Sequence, residues 1–121
     1  MIGIGVDLCD VDRMRTALAR TPGLRDRLFT GAEQAYCDAR NDPAERYAAR
    51  FAAKEAVLKA MALGVGACKW TEIEVVRADS GAPAVELRDG ALALSRERGI
   101  TSWLLTMSHT ATLAQAIAVA Q

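Results

Sequence analysis

Asp42-Pro43-Ala44-Glu45-Arg46-Tyr47-Ala48-Ala49-Arg50-Phe51-Ala52-Ala53-Lys54-Glu55-Ala56-Val57-Leu58-Lys59-Ala60-Met61-Ala62-Leu63 is the stretch that organises this chain of 121 residues. An acid at the N-cap, a proline at the first helical position and an acid at the third open a helix. Gly64 and Gly66 close it, so a helix is expected from Pro43 to about Leu63. Alanine loses no side-chain entropy on entering a helix and lets another backbone approach closely, so this Ala-rich segment reads as the central helix.

Upstream, residues 2–6 (Ile-Gly-Ile-Gly-Val) read as a short buried strand with Asp7 directly at its end. Asp10 can cap a helix over 11–20, whose apolar Val11, Met14 and Leu18 form one stripe until Pro22-Gly23 stops it. Residues 24–29 allow a further turn or two, and Thr30-Gly31-Ala32-Glu33 is a capping box opening a helix to about Arg40. Downstream the period changes to alternation. Thr71, Ile73 and Val75 face one way and Glu72, Glu74 and Val76 the other, a strand pattern. Residues 79–83 read as a turn, 84–88 as a returning strand, and 89–98 as a helix capped by Asp89 and closed by Gly99. Two β-like runs, 100–107 and 113–120, flank a polar loop, Ser108-His109-Thr110-Ala111-Thr112. The expected fold is α+β: a single domain over 1–121 with a long central helix packed on a small, largely antiparallel sheet.

With 51% apolar and 25% charged residues, and 15 basic against 15 acidic side chains, the chain suits one globular core. The absence of a basic excess argues against nucleic acid as a partner. No apolar run reaches the ~18 residues that would span a membrane, and the N-terminus lacks a signal-peptide layout, so a cytoplasmic enzyme is expected. Cys9, Cys37 and Cys68 are odd in number and far apart, which suggests incidental thiols rather than a zinc or disulfide framework. With His109 the single histidine, multi-histidine metal sites are excluded.

Arg46, Arg50 and Lys54 recur at i+4, a like-charged stripe that is costly unless splayed into solvent or bridged by an anion such as a phosphate. Glu55 and Lys59 follow in the favourable acid-before-base order and would serve equally as a surface pair. Asp7 could cap the next helix. It could also meet Glu55 if the long helix crosses the strand's end, and two carboxylates plus ligand phosphates suit Mg²⁺. Ser108 and His109, adjacent on an extended chain, would point to opposite faces and make a poor nucleophile–base pair. In a turn they would suit phosphate oxygens, or the histidine could be purely structural.

Gly3-Ile4-Gly5-Val6-Asp7-Leu8, Arg50-Phe51-Ala52-Ala53-Lys54-Glu55-Ala56-Val57-Leu58-Lys59-Ala60, Trp70-Thr71-Glu72-Ile73-Glu74-Val75 and Ser108-His109-Thr110 together resemble the holo-acyl-carrier-protein synthases, small 4′-phosphopantetheinyl transferases, over nearly the whole chain. The resemblance implies the 4′-phosphopantetheinyl transferase fold and Mg²⁺-dependent transfer of phosphopantetheine from coenzyme A to a serine of apo acyl carrier protein. The second product is adenosine 3′,5′-bisphosphate. By the same resemblance Asp7 and Glu55 match the metal ligands. Arg50, Lys54 and Lys59 match basic positions facing the coenzyme A phosphates, and Lys54 or Lys59 can stabilise the leaving phosphate as a point charge. Ser108 and His109 match a loop near the adenosine 3′-phosphate. The serine proton goes either to Glu55 or to a water on the metal, which the residues leave open.

Gly64 keeps a glycine of the phosphate-contacting turn that follows the helix, though Leu63 replaces the small polar residue usual there. Leu58 and Ala17 are further departures, the second on the helix the resemblance assigns to carrier docking. Around it Arg13, Arg20, Arg25 and Arg27 form a basic patch suited to an acidic carrier, with Arg13, Arg20 and Arg27 as the expected contacts. The resemblance also implies a homotrimer with active sites at subunit clefts, and a place in fatty acid biosynthesis. Competing functions are a non-catalytic coenzyme A-binding or assembly module, which would not need both carboxylates, and a thioester hydrolase, which lacks a nucleophile elbow.

Overall fold

A computed structural model describes residues 1–121. Strand β1 (Gly3–Asp10) is followed by α1 (Val11–Arg20), α2 (Leu24–Leu28), α3 (Gly31–Asp38) and α4 (Pro43–Ala60). A 3-10 turn (Trp70–Glu72) leads to β2 (Ile73–Arg77), β3 (Pro83–Leu87), α5 (Asp89–Glu97), β4 (Trp103–His109) and β5 (Leu113–Ala120). The strands make an antiparallel sheet in the order β1-β5-β4 and a separate antiparallel hairpin, β2-β3. The expected α+β architecture with a long central helix is what forms.

Helix α4 lies on one face of the β1-β5-β4 sheet, and small residues on both sides bring the two backbones together. A Cβ on Gly3 would stand 1.9 Å from the Ala60 carbonyl oxygen, and one on Gly5 2.0 Å from that of Ala56. The facing positions of β5 are Ala114, Ala116, Ala118 and Ala120, all buried. One core packs α4 onto this sheet and β2 through Val57, Leu58, Ile73 and Ile100. A second joins α1, α3 and the first half of α4 through Val11, Phe29, Cys37 and Tyr47.

Several boundaries differ from expectation. Strand β1 continues past Val6 because β5 offers partners as far as Asp10↔Leu113, so Asp7 stands inside the strand, opposite Ala116. Helix α4 stops at Ala60, and the chain turns away at Ala62, with φ of 59°, before the glycines are reached. Strand β4 runs through His109, so Ser108-His109 is strand and the loop shortens to residues 110–112. Asp10 caps α1 as expected, accepting from the Arg13 N–H, and both bonds of the Thr30–Glu33 capping box are made. Asp42 holds the N-cap position of α4 without a capping bond, its carboxylate taken by Arg15 at 2.8 Å. Asp89 is the first residue of α5 and Arg88 its N-cap.

Candidate active site

Asp7 projects from the inner face of β1 toward α4, where Glu55 and Lys59 stand one turn apart. The Lys59 ammonium donates to Asp7 Oδ1 at 2.8 Å and to the Val6 carbonyl at 3.2 Å. Burial, and then the neighbouring Asp7 carboxylate, push Glu55 up to about 7, with Lys59 pulling the other way. Two carboxylates held this close present a negative locus that a divalent cation would relieve, a donor set suited to Mg²⁺ when ligand phosphates complete the shell. The locus opens into a cleft of about 530 Å³ between β1, α1, α2 and α4, walled mainly by apolar side chains including Met14, Leu24, Leu28 and Phe51. Arg13 stands in this cleft with Asp7 and Glu55, as does Ala17. Arg20 and Arg27 lie exposed on α1 and α2.

The stripe Arg46, Arg50, Lys54 divides. Arg46 and Arg50 line a second cavity, of about 150 Å³, with Tyr36, Arg77, Pro83 and His109. Arg50 is 4% exposed and its Nε is buried without a hydrogen-bond partner. His109 Nδ1 is likewise buried and unpartnered, the Glu45 carboxylate standing 3.1 Å away without lining up as a hydrogen bond. A buried guanidinium nitrogen without a partner, in a cavity rimmed by further arginines, is chemistry suited to an anion.

Lys54 takes no part in either cavity, a correction to the expected set of phosphate-facing residues. It is fully buried, donating to Glu33 Oε1 at 2.7 Å and to the Trp70 carbonyl at 3.0 Å. The other Glu33 oxygen accepts from the Val75 N–H at 2.9 Å. An ammonium inside a core needs a carboxylate beside it, and α3 supplies one. Strand alternation turns Ser108 to the exposed face, away from His109. Gly64 lies exposed in the loop after α4, outside both cavities. Tyr36, Arg77 and Glu45 were not expected at the site. Glu45 precedes Arg46 on α4, but nothing in the spacing brings β2 and α3 to that cavity.

The two cavities share no residue. Asp7 is on β1 and His109 on β4, with β5 between them, so the carboxylate locus and the arginine pocket stand on opposite flanks of the sheet.

Residues 3–118 match the model of the 4′-phosphopantetheinyl transferase superfamily. The chain is 48% identical to the holo-[acyl-carrier-protein] synthase of Desulforudis audaxviator over 99% of its own length and 92% of the relative's. It is 42% identical to that of Moorella thermoacetica, over 100% and 94%. Among solved structures, the holo-[acyl-carrier-protein] synthase of Neisseria meningitidis superposes with a TM-score of 0.88 at 28% identity, covering 100% of this chain and 98% of that one. The Chronobacterium ammoniagenes ACPS-CoA complex superposes with a TM-score of 0.84 at 27% identity, covering 96% and 93%. With a carboxylate–lysine locus on the central helix and agreement along its whole length, the chain belongs to the holo-[acyl-carrier-protein] synthase family of 4′-phosphopantetheinyl transferases.

Proposed function

We propose that this protein transfers the 4′-phosphopantetheine of coenzyme A to a serine hydroxyl of an apo acyl carrier protein, with Mg²⁺ as cofactor and adenosine 3′,5′-bisphosphate as the second product. The observation that carries the reading is the meeting of Asp7, Glu55 and Lys59 at the mouth of one apolar-walled cleft. Asp7 and Glu55 are the residues that would hold the metal. Bound there, Mg²⁺ supplies charge neutralisation for a pyrophosphate under attack. Lys59, a compact cation hydrogen-bonded at that locus, is the chain's own donor to the departing phosphate. The apolar wall excludes water that would compete with the carrier's serine, and Arg13, Arg20 and Arg27 steer an acidic carrier toward it. Arg50 and His109 take an adenosine phosphate at the other end of coenzyme A.

A single chain holds these two ends apart, which supports a homotrimer in which one subunit lends the carboxylate locus and its neighbour the arginine pocket. The outer face of the sheet suits such an assembly. Ile4, Val6, Leu8, Leu104 and Leu113 are each at least 43% exposed there, one contiguous apolar surface of the sort that marks an interface. The reading keeps the expectation of a cytoplasmic enzyme serving fatty acid biosynthesis.

Intact mass of an apo acyl carrier protein after incubation with coenzyme A tests the proposal, with Mg²⁺ or excess chelator and alongside Asp7→Ala and Glu55→Ala. A phosphopantetheine-sized gain that requires metal and vanishes in both variants is expected. No gain on several carriers, with coenzyme A still bound, would favour a binding module. A gain that survives chelation would leave the transfer and remove the metal.

A further inference from the structure

Arg40 from the loop after α3, Arg50 from α4 and Arg77 from the end of β2 converge on the side chain of Tyr36. The guanidinium carbons of Arg40 and Arg50 each lie 4.2 Å from its ring centroid and that of Arg77 lies at 5.2 Å. Arg77 also donates to the Tyr36 hydroxyl. Arg46 lines the same cavity. None of the four arginines has a carboxylate within ion-pair distance, whereas Arg15, Arg88 and Arg98 all do. The Glu45 carboxylate is turned to His109. Arg46, Arg50 and Arg77 line one small cavity and Arg40 lies just outside it on the Tyr36 ring; unpaired guanidiniums gathered this way repel one another, and water entering the cavity would not hold them in place. The face of an aromatic ring, with its negative quadrupole, does so without neutralising them.

We propose that Tyr36 is a positioning residue of the co-substrate site: its ring holds Arg40, Arg50 and Arg77 in one array, so that the cavity lined by Arg46, Arg50, Arg77 and His109 selects a phosphate monoester dianion. The inference rests on the assignment of this cavity to an adenosine phosphate of coenzyme A. A carboxylate at position 36 or among the arginines would hold them equally well but would cancel the charge the ligand must meet. The phenol keeps the array and leaves its charge available. Burial alone would raise the Tyr36 hydroxyl's pKa, yet the four guanidiniums outweigh it and bring it down, which matches their crowding. The residue touches neither the pyrophosphate nor the serine, so its contribution is uniform binding and belongs in KM rather than kcat.

The test is calorimetric binding of adenosine 3′,5′-bisphosphate and of adenosine 5′-monophosphate to the full chain and to Tyr36→Leu, Tyr36→Phe, Arg77→Gln and Arg50→Gln. Tyr36→Leu is expected to lose about tenfold in affinity for the bisphosphate, equivalent to ~1.4 kcal/mol, with little change for the monophosphate. Its KM for coenzyme A should rise with kcat retained, and it should discriminate less between coenzyme A and 3′-dephospho-coenzyme A. Tyr36→Phe keeps the ring and should stay within about threefold of the original protein. Arg77→Gln, a change at an exposed strand end, should reduce the bisphosphate preference several-fold even if the leucine variant does not fold. An unchanged preference in Tyr36→Leu or in Arg77→Gln, while Arg50→Gln loses it, overturns the role of Tyr36 alone. An unchanged preference in Arg50→Gln overturns the assignment of the cavity, and the role of Tyr36 with it.

Discussion

Lys54 and Lys59 stand on the same helix, and their surroundings separate their chemistry. Lys59 is 55% exposed by its side chain and bound to Asp7 and a strand carbonyl, a charge held beside the cleft. Replacing it with methionine should lower kcat/KM by about 10²-fold, read from the rate of carrier mass gain, while arginine should recover part of the loss because its planar fork fits a compact double contact poorly. An unchanged rate in the methionine variant would remove Lys59 from the reaction. Lys54 is enclosed with Glu33, and removing one partner leaves a buried charge without compensation. Lys54→Met should cost about 3–5 kcal/mol in urea unfolding, and adding Glu33→Gln should restore part of it. A cost below ~1 kcal/mol would mean the pair is wet. Cys37 is a buried thiol pushed up to about 11 by that burial, so at pH 8 about one molecule in a thousand carries a thiolate there. Ellman's reagent should leave it unmodified until the protein unfolds, and fast labelling of native protein at Cys37 would contradict the packing of α3 on α4.

At the scale of elements, the close approach of α4 to β1 decides whether Asp7 and Glu55 meet at all. A methyl group at Gly5 would sit 2.0 Å from a helix carbonyl, a collision with backbone that no side-chain rotation relieves. Gly5→Ala should therefore destabilise by more than the ~1–3 kcal/mol of ordinary overpacking and separate the two carboxylates. Circular dichroism melting beside a metal-dependent activity assay reads both effects, and a variant with unchanged melting and activity would refute the contact. Glu74, on β2, ties that strand to two other elements. It accepts from the Thr30 hydroxyl at the start of α3 and from Arg88 ahead of α5. Burial would raise its pKa, but these two partners hold it below its ordinary 4.5. A depressed carboxylate gives stability that is present above about pH 4.5 and lost as the pH falls below it, so Arg88→Gln should make the acid side of the stability curve shallower. Much of this level was legible in the sequence. The capping box at Thr30, the proline start of α4 and the alternation around Ile73 are local signals, and each marks a real element. Boundaries fixed by a distant partner were not legible: β1 extends because β5 pairs with it, and β4 reaches His109 for the same reason. The site divides along the same line. Asp7, Glu55 and Lys59 stand in recognisable motifs, whereas the Arg77–Tyr36 contact bridges 41 residues, and Glu33 reads only as a cap although it also neutralises Lys54.

For the whole molecule the governing fact is the separation of the carboxylate cleft and the arginine pocket to opposite flanks of one sheet, beneath one shared helix. If one coenzyme A must meet both, each subunit of a closed ring gives one half-site to the neighbour before it and the other to the neighbour after it. Two inactive variants then repair each other. A subunit carrying Asp7→Ala retains the arginine pocket, and a subunit carrying Arg50→Gln retains the carboxylates, so one order of the two around the ring rebuilds an unmutated site. Random mixing in equal amounts gives that order at one boundary in about four, so co-refolded or subunit-exchanged mixtures should recover about a quarter of the original activity from two nearly inactive parents. Light scattering on Ile4→Lys and Leu104→Glu supplies the independent arm, since charge on the apolar face should yield smaller species that lose activity although every proposed catalytic side chain is intact. Recovery no greater than the sum of the two parents, from mixtures shown by mass to contain hybrid oligomers, would place the whole site within one chain and sever the link between assembly and catalysis.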